Sequence, residues 1–523
     1  MTLEEIHKKY LVAPLQGLNP GGIKPYPVPV EEMAALCRIL YFERKLQLKT
    51  ITAADERPDR QGFKIYYVFG LPGENRFLAP YIFLKREEAF PSLTREIHEA
   101  SGYERKIMSF FGLKPQGHPH PRPLLLHENW PENTFPLRKD FDWRQSPPEG
   151  AGRYDFHKVE GEGIYEIPVG PVHAGIIEPG HFRFSVAGEE ILLLEPRLGY
   201  KHKGIEKLFE VLPLADKIRL SERVSGDTSF THALAFCQAV EKLAGLEIPP
   251  RAAYLRVVFS ELERLANHLN DIGFIMLDTG YSFGGSHGAR LREMIMQWNE
   301  RLTGSRFLRG VNTVGGVTRD IPEKTGRELL QALEALRRDF AEVMAVARGS
   351  SSLRNRLAGT GKLDRRIALD HGVIGVAGRA LGLAHDARIE YPYEAYPRLK
   401  WEMALEEEGD VLARWSVRIK EIHSSLALIV QALREMPPGN EIQSTQEPIL
   451  PGGGCAIGIT EGWRGDIVYF VLTDGAGRIS RVEVRDPSFI NWTVLGHAGK
   501  GNIIPDFPLI NKSFNLSYSG NDL

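Results

Sequence analysis

The most regular pattern of apolar positions in the sequence lies in its second half. Six apolar residues recur there at spacings of three and four, which places them on one face of a helix. They are Leu255, Val258, Leu262, Leu265, Leu269 and Ile272. Residues 322–348 and 400–436 show the same helical period. The pattern predicts a bundle of long helices in this part of the chain.

Shorter apolar segments predict β-strands on both sides of these helices. They are rich in aromatic and β-branched side chains and are bounded by turn residues. The predicted strands are 63–70, 76–84, 164–172, 182–194, 466–473 and 478–484. The last two flank Asp474-Gly475-Ala476-Gly477, which is a hairpin signal. Residues 92–101 are predicted to form a helix, so the first part of the chain is expected to mix helix and strand.

A break near residues 144–153 divides the chain into two predicted domains. Residues such as Pro147 and Gly150 interrupt regular structure there, and apolar residues are sparse. We predict a small α+β domain over residues 1–145. We predict a large, mainly helical domain with small flanking sheets over residues 154–523.

The end of the first domain reads as a loop-like tail. From about residue 110 the chain is rich in proline, and the prolines between Pro115 and Pro136 exclude a helix or a central strand. We expect this tail to lie on the surface of a partner rather than to form a core of its own.

The charge balance and the hydropathy exclude several classes of protein. The 523 residues include 65 Lys and Arg against 67 Asp and Glu, which argues against nucleic acid as the main partner. An apolar share of 42% is enough for a large packed core. No segment reaches the roughly 18 consecutive apolar residues of a membrane-spanning helix, and the first residues do not resemble a signal peptide. We expect no membrane-spanning segment in this chain.

Cysteine is scarce, since the chain contains only Cys37, Cys237 and Cys455. No two of them are near enough in sequence to form a CxxC pair. The sequence therefore predicts neither a disulfide framework nor a Cys-rich metal site, and the scarcity fits a reducing compartment.

Several short motifs resemble known families when they are taken in order. The motifs are Gly170-Pro171-Val172-His173 followed by Glu178-Pro179, KHKGIEKL at 201–208, VEKLAG at 240–245, RALGLAHDARIEYPYEAY at 379–396, and EGWRGD at 461–466. They resemble the catalytic large subunit of membrane-bound NiFe hydrogenases and its relative, the 49 kDa-type subunit of respiratory complex I. Residues 110–126 and 136–141 resemble the 30 kDa-type subunit of complex I. The fused order looks most like the large subunit of formate hydrogenlyase and hydrogenase-4 complexes.

This resemblance bears directly on the metal centre of the hydrogenase family. A NiFe centre needs four soft thiolate ligands. The resemblance implies that Ser225, Thr228, Ser517 and Gly520 stand where the family has its cysteines. Neither Cys237 nor Cys455 matches a ligand position. We therefore expect no NiFe centre and no metal bound by this chain.

The resemblance also implies a substrate pocket at this place. It aligns His173 with a histidine of the family's loop, with Ala174 at the position of a proline, and it places Arg464 near the pocket. His173 could hydrogen-bond a quinone or deliver a proton, and Glu178 could relay protons. The alternatives are that His173 and His181 are satisfied by the backbone and that Glu178 is a solvated acid.

Other polar residues carry weaker predictions. Asp386 and Arg388 are expected to form a buried, architectural ion pair, and His232 is either a core histidine or a ligand. His202 and Glu206 are expected to form a surface or interface salt bridge.

Three further polar residues follow one another on the long helix. Glu261, Arg264 and His268 share a helix face, which is either a proton-conducting chain or an ordinary polar surface.

The resemblance implies a core redox subunit of a membrane-bound, ion-translocating oxidoreductase complex. An iron–sulfur small subunit would supply electrons, and a quinone or another small molecule would accept them. Energy released would drive proton translocation in membrane-embedded, antiporter-like subunits. The chain would lie peripherally at the cytoplasmic side of the cell (inner) membrane in this hetero-oligomeric complex and would bind no cofactor except possible quinone.

Two alternatives stand beside this hypothesis. In the first, the chain is a catalytically silent subunit that joins an iron–sulfur subunit to the membrane arm. In the second, it is an active hydrogenase with substituted ligands, which the loss of all four thiolates disfavours.

Overall fold

A computed structural model describes residues 5, 8–19, 21–60, 62–85, 89–173 and 177–523. Ala174, which stands at the proline position of the family loop, lies outside the described residues.

The first part of the chain is built on a four-stranded mixed sheet. Its strands lie side by side in the order Ile23–Pro27, Arg76–Leu84, Phe63–Leu71 and Gln47–Asp55. The first pair is parallel and the others are antiparallel. The two predicted strands of this sheet are confirmed. All residues of Phe63–Leu71 are buried, because one face of the sheet packs on helices and the other on the second part of the chain.

Helices cover one face of this sheet, but not where the sequence predicted. They are Ala13–Leu15, Val30–Arg38 and Ser101–Phe111, while the short helix Arg57–Arg60 lies in the connection between two strands. The helix predicted over 92–101 is wrong, because regular helix begins only at Ser101. The buried carboxylate of Glu104 explains the difference. It accepts hydrogen bonds from Leu93 N and Thr94 Oγ1, and so holds the preceding residues in turns.

The proline-rich tail after residue 112 is irregular, as predicted, except for the two-residue strand Pro115–Gln116, which pairs with Phe90–Pro91. It lies on the second part of the same chain. His127 Nε2 is 2.8 Å from the Leu198 carbonyl oxygen, and Lys207 Nζ donates to the Arg138 carbonyl over 2.8 Å. The tail therefore lies on the second part of the same chain, and not on a partner as the sequence predicts.

The second part is mainly helical. Its α-helices are Ile205–Val211, Leu214–Ser221, Ser229–Ala244, Pro250–Asp278, Ser282–Thr303, Glu323–Arg348, Ser351–Leu357, Arg365–Asp370, Gly375–Arg379, Ala387–Glu390, Val411–Glu435, Pro487–Asn491, Leu495–Gly499, Phe507–Phe514 and Tyr518–Asp522. The three long helices predicted from apolar spacing are present. The helix predicted from residue 400 begins at Val411, because the Asp410 side chain caps its first turn through Ala413 N.

Pro250–Asp278 is the central helix of the bundle. It packs against Ser282–Thr303 and Val411–Glu435. A Cβ atom on Gly288 would lie 2.5 Å from the Cα atom of Gly273, so the first of these contacts depends on two glycines facing each other.

Two three-stranded antiparallel sheets flank the bundle. One contains Ile164–Val169, His181–Ala187 and Glu190–Arg197. The single strand predicted over 182–194 is wrong, because Gly188 has a φ of +62° and turns the chain into a hairpin. The other sheet contains Cys455–Gly462, Gly465–Thr473 and Ile479–Arg485, and its predicted hairpin is confirmed. The remaining strands are Asn312–Thr313 and Gly316–Val317.

Buried ion pairs join the two parts of the chain. Lys49 Nζ lies 3.0 Å from Asp466, and Lys106 Nζ lies 2.9 Å from Glu206 and 2.7 Å from Glu483. The architecture confirms the predicted α+β class, while the exact domain limits of 145 and 154 stay a prediction. No helix in the described part of the chain is long and apolar enough to cross a membrane.

Candidate functional site

The four positions that the resemblance assigns to metal ligands meet at one place. Ser225 Oγ and Ser517 Oγ are 2.9 Å apart, and Ser517 Oγ also accepts a 2.9 Å hydrogen bond from Gly520 N. Thr228 lies one turn after Ser225, at the start of Ser229–Ala244. Residues from two distant segments thus form a single polar site.

An ion pair occupies the centre of this site. Arg464 Nη1 and Nη2 each donate a 2.8 Å hydrogen bond, one to each carboxylate oxygen of Asp227. Ser225 Oγ and Thr228 Oγ1 donate to Asp227 Oδ1, both over 2.9 Å. This bidentate geometry is the strongest that guanidinium and carboxylate adopt. We call Asp227, Arg464, Ser225, Thr228 and Ser517 the hydroxyl–arginine site.

Both Asp227 and Arg464 stay charged in this ion pair. Burial raises the pKa of Asp227, but the Arg464 guanidinium and the two hydroxyl donors outweigh it and lower that pKa to about 2. The side chain of Asp227 is 38% exposed, whereas that of Arg464 is 5% exposed. The carboxylate therefore faces the surface, and the guanidinium lies behind it.

The backbone around Arg464 fixes the direction of its side chain. Arg464 lies in the tight turn between Cys455–Gly462 and Gly465–Thr473. A Cβ atom on Gly375 would lie 1.8 Å from the Arg464 carbonyl oxygen, so only glycine fits against this turn. Asn515 has a φ of +45° and presents its carbonyl oxygen to Arg464 Nε. The neighbouring Trp463 ring lies 3.8 Å from the guanidinium and donates to Thr228 Oγ1.

Gly520 lies against a second buried pair. A Cβ atom on Gly520 would lie 2.5 Å from the carboxylate of Asp486. That carboxylate is 3.0 Å from His232 Nε2, and His232 Nδ1 is 3.0 Å from Tyr469 OH. Both nitrogens of His232 thus have partners, which fits a core histidine.

The loop residues predicted for the pocket divide into two groups. Glu178 Oε2 accepts a 2.9 Å hydrogen bond from Ser519 N, so it reaches the helix that carries Gly520. His173 Nε2 is 2.8 Å from the Gly180 carbonyl oxygen, and His181 Nδ1 is 3.2 Å from that of Gly170. These two histidines hold their own loop through its backbone, which is the alternative considered from the sequence.

A cluster of buried charges lies behind the hydroxyl–arginine site. We call it the charge cluster, and it comprises Glu261, Arg264, His268, Arg379, Asp386, Arg388, Glu421 and Glu461. The expected pair of Asp386 and Arg388 is present at 2.7 Å. His268 Nε2 lies 2.7 Å from Glu421, which lies 2.9 Å from Arg379 Nε.

The charge cluster corrects one prediction and leaves another open. Glu261, Arg264 and His268 are at most 1% exposed, so they do not form an ordinary polar surface. Burial and the neighbouring Asp386 raise the pKa of Glu461 to about 7, and Arg379 opposes this shift. Proton conduction along the cluster stays a prediction.

The expected surface or interface salt bridge is present at Glu206 as a buried contact between the two parts of the chain, whereas His202 contacts a backbone carbonyl instead. Glu206 is 4% exposed and pairs with Lys106 and Arg481. His202 Nδ1 is 2.7 Å from the Asp522 carbonyl oxygen. Glu206 and Lys207 are buried because the first part of the chain covers them, whereas Lys203 stays exposed.

Comparisons with known proteins agree with this architecture. Residues 278–453 and 442–522 match the family described as "Respiratory-chain NADH dehydrogenase, 49 Kd subunit". Residues 26–147 match "Respiratory-chain NADH dehydrogenase, 30 Kd subunit". The chain is 32% identical to "Formate hydrogenlyase subunit 5" of Escherichia coli strain K12, with 100% of this chain and 94% of that protein covered. The chain therefore belongs to the family of proteins in which a 30 kDa-type and a 49 kDa-type subunit are fused.

Two further relatives show the breadth of the family. The chain is 32% identical to "Hydrogenase-4 component G" of Escherichia coli strain K12, with 95% of this chain and 87% of that protein covered. It is 34% identical to "NADH-quinone oxidoreductase subunit 4" of Thermus thermophilus, with 66% of this chain and 91% of that protein covered. The family resemblance stated from the motifs is thus confirmed.

The side chains present do not fit the family's NiFe centre. Nickel and low-valent iron need thiolates, whereas three hydroxyls and a glycine stand at the aligned positions. The Ser225 and Thr228 hydroxyls are already bonded to Asp227, with Arg464 close behind. Among the described residues, no group of three or more His, Cys, Asp and Glu is arranged to hold a metal ion.

Sequence reasoning missed four residues of this region. Asp227 lies between two positions that were singled out, and Trp463 lies within the EGWRGD motif, so both had a local signal. Asp486 and Asn515 had none, because only the folded chain brings them to Gly520 and Arg464.

Proposed function

We propose that this chain is a core redox subunit of a membrane-bound complex, and that it passes electrons from an iron–sulfur partner to a quinone or another small acceptor. The names of its relatives support this class, since they include an NADH-quinone oxidoreductase subunit and hydrogenase subunits. In this proposal the chain sits peripherally at the cytoplasmic side of the membrane. Membrane-embedded, antiporter-like subunits would use the released energy to move protons.

One observation carries the proposal: the hydroxyl–arginine site. The four aligned positions meet where a metal centre would lie, and they surround a buried guanidinium with an ionised carboxylate at the surface. A guanidinium stabilises negative charge that develops on an oxygen atom during reduction. The hydroxyls of Ser225 and Thr228 donate to Asp227 and so hold its carboxylate against the guanidinium.

The proposal assigns different roles to the chain's own groups. Arg464 would bind and polarise the acceptor oxygen, and Asp227 would hold the guanidinium in position. Glu178, at the rim beside Ser519, would exchange protons with solvent. The proposal includes no reaction at a NiFe centre, because the side chains present do not fit one.

The second candidate is a catalytically silent joining subunit. Its support is that the hydroxyls of Ser225, Thr228 and Ser517 all have hydrogen-bond partners within the chain. Such a site needs no ligand to be satisfied. The two candidates agree on the fold and the partners and differ only in turnover.

Steady-state turnover of the purified complex separates them. The double variant Arg464→Gln/Asp227→Asn removes both charges together and leaves neither one unpaired. The redox proposal predicts that quinone-dependent turnover falls by about 100-fold, the usual cost of losing one donor to a developing oxyanion.

A matched control exists on the surface of the bundle. Arg290 and Asp339 form the same bidentate pair with 2.7 Å contacts, so Arg290→Gln/Asp339→Asn tests for non-specific effects. Both complexes are first checked for complete assembly by size-exclusion chromatography. Unchanged turnover of an assembled Arg464→Gln/Asp227→Asn complex would support the joining subunit instead.

A further inference from the structure

A cavity lies where the two parts of the chain meet. It has a volume of about 370 Å³ and is bounded by the start of Ser101–Phe111, the proline-rich tail, residues 154–157 and residues 489–493. This volume falls within the range of small-molecule sites, which begins at about 300 Å³. Its location is separate from the hydroxyl–arginine site, although Trp492 lines it and donates to the Ser517 carbonyl oxygen.

Three arginines of the described residues line this cavity, and one of them has no acidic partner among those residues. Arg197 pairs with Glu128, and Arg122 lies 4.0 Å from Glu195. In the described part of the chain, Arg105 donates only to backbone, to the carbonyl oxygens of Arg122 at 2.8 Å and Pro123 at 3.1 Å. Within the described ranges no carboxylate forms an ion pair with Arg105.

The unpaired guanidinium carries an electrostatic cost. Burial lowers the pKa of Arg105, and the neighbouring Arg197 and Arg122 lower it further, to about 10, while Tyr154 and Glu195 oppose this shift. A guanidinium whose pKa is lowered by burial and by neighbouring cations lacks a directly paired negative charge. Because it is planar and forked, it pairs best with a carboxylate or phosphate.

The acidic groups of the cavity form no ion pair with Arg105 among the described residues, although Glu195 acts on it from a distance. The Glu195 carboxylate already accepts from Tyr154 OH at 2.7 Å and from His157 N at 2.8 Å. Burial raises the pKa of Glu99 to about 7, although Arg485 and Lys49 oppose this, so Glu99 binds a proton readily near neutrality. Its Oε2 is 3.3 Å from Tyr41 OH.

One side of the wall is apolar, while histidines and other polar side chains line the remainder. Leu124, Leu125, Phe489 and Trp492 line the cavity beside the arginines. A bare inorganic ion would leave these side chains without contact, whereas an anion with a hydrocarbon or aromatic body would cover them.

We propose that this cavity binds a small organic anion, with its carboxylate or phosphate group on Arg105 and its apolar body against Phe489 and Trp492. The site is independent of the proposed redox function, since it requires no electron transfer. Trp492 lines this cavity and also donates a hydrogen bond to the Ser517 carbonyl oxygen. A bound anion would therefore contact a residue that supports the hydroxyl–arginine site, without entering that site.

Isothermal titration calorimetry of the full chain tests the proposal with three probes at constant ionic strength. Benzoate and phenyl phosphate carry the two head groups on the same apolar body, and inorganic phosphate lacks the body. We expect both aromatic probes to bind and inorganic phosphate to bind more weakly. Arg105→Gln should weaken the aromatic probes by about tenfold or more, the effect of losing one charged hydrogen bond.

Arg319→Gln is the matched control. Of the partners that the structure describes, Arg319 also donates only to backbone carbonyl oxygens, those of Thr303 and Thr318, but it does not line the cavity. Its affinity for the probes should equal that of the unaltered chain. Arg105→Lys, which keeps the charge and loses the fork, should bind with intermediate affinity and serves if Arg105→Gln fails to fold.

Three outcomes would overturn the proposal. They are no binding of either aromatic probe, equal binding by the Arg105→Gln chain, and inorganic phosphate binding as tightly as phenyl phosphate. The relative affinities of benzoate and phenyl phosphate identify the head group that the site prefers.

Discussion

The hydroxyl oxygens of Ser225 and Ser517 lie 2.9 Å apart, although 292 positions separate them in the sequence. Ser225 precedes the helix Ser229–Ala244, and Ser517 caps the helix Tyr518–Asp522 through Gly520 N. This contact joins the two halves of the hydroxyl–arginine site. The site therefore exists only when the segment around Tyr518–Asp522 is docked on the bundle.

Gly520 should tolerate no side chain. In Gly520→Ala the new Cβ atom would meet the Asp486 carboxylate at 2.5 Å, and that carboxylate is held by His232. We expect the free energy of unfolding to fall by about 1–3 kcal/mol, the usual cost of overpacking. Denaturant unfolding of the full chain measures it.

Gly326→Ala is the control for this prediction. A Cβ atom there would meet only Ile321 at 3.8 Å and Leu433 at 3.9 Å, which is ordinary contact. Because alanine favours helix, this variant should gain up to about 1 kcal/mol. Equal effects of the two substitutions would argue against a tight fit at Gly520.

Lys106 should be essential to the contact between the two parts of the chain. Lys106→Met leaves Glu206 and Glu483 with Arg481 as their remaining cation in a fully buried network. Breaking a buried pair in this way costs about 3–5 kcal/mol. We expect a loss of that size in the free energy of unfolding, measured by denaturant titration.

The exposed pair of Arg327 and Glu323 provides the comparison. Arg327→Met should change the free energy of unfolding by less than about 1 kcal/mol, because solvent screens this pair. If Lys106→Met were equally mild, the buried network would not hold the two parts together.

The central helix could be predicted from the sequence, whereas one strand of the first sheet could not. The apolar face from Leu255 to Ile272 predicted the central helix, since a period of three and four needs no tertiary information. The strand Gln47–Asp55 was missed because its two faces meet different surroundings. Lys49 and Thr52 are polar, yet they are buried against Asp466 and Glu483.

The candidate site was predictable only in part. Ser225, Thr228, Ser517 and Gly520 were found by family resemblance, and nothing in their spacing alone brings them together. Their partner Asp227 could not be recognised as an ion-pair residue, because Arg464 is distant in sequence and reaches it through a turn packed on Gly375.

Stability should fall in acid through His371. Burial lowers the pKa of His371 to about 3, and the adjacent rings of His98 and His497 contribute to this shift. In the unfolded chain a histidine has a pKa of about 6.5, so the unfolded state binds more protons between these values. The free energy of unfolding should therefore decrease as pH falls from about 6.5 toward 3.

The histidine contribution can be isolated by substitution. In His371→Gln the slope of unfolding free energy against pH should become smaller over this window, while His287→Gln, on the separate helix Ser282–Thr303, should leave it unchanged. Denaturant midpoints across the pH range provide the slope. An identical slope in the His371→Gln chain would contradict the prediction.

The redox proposal is tested most directly in a single turnover of the purified complex. The reduced iron–sulfur cluster of the partner is followed by electron paramagnetic resonance after a short-chain quinone is added. We predict that the reduced signal disappears in the unaltered complex and in Arg290→Gln/Asp339→Asn, and that it persists in an assembled Arg464→Gln/Asp227→Asn complex. Equally fast loss of the signal in all three complexes would contradict electron transfer at the hydroxyl–arginine site.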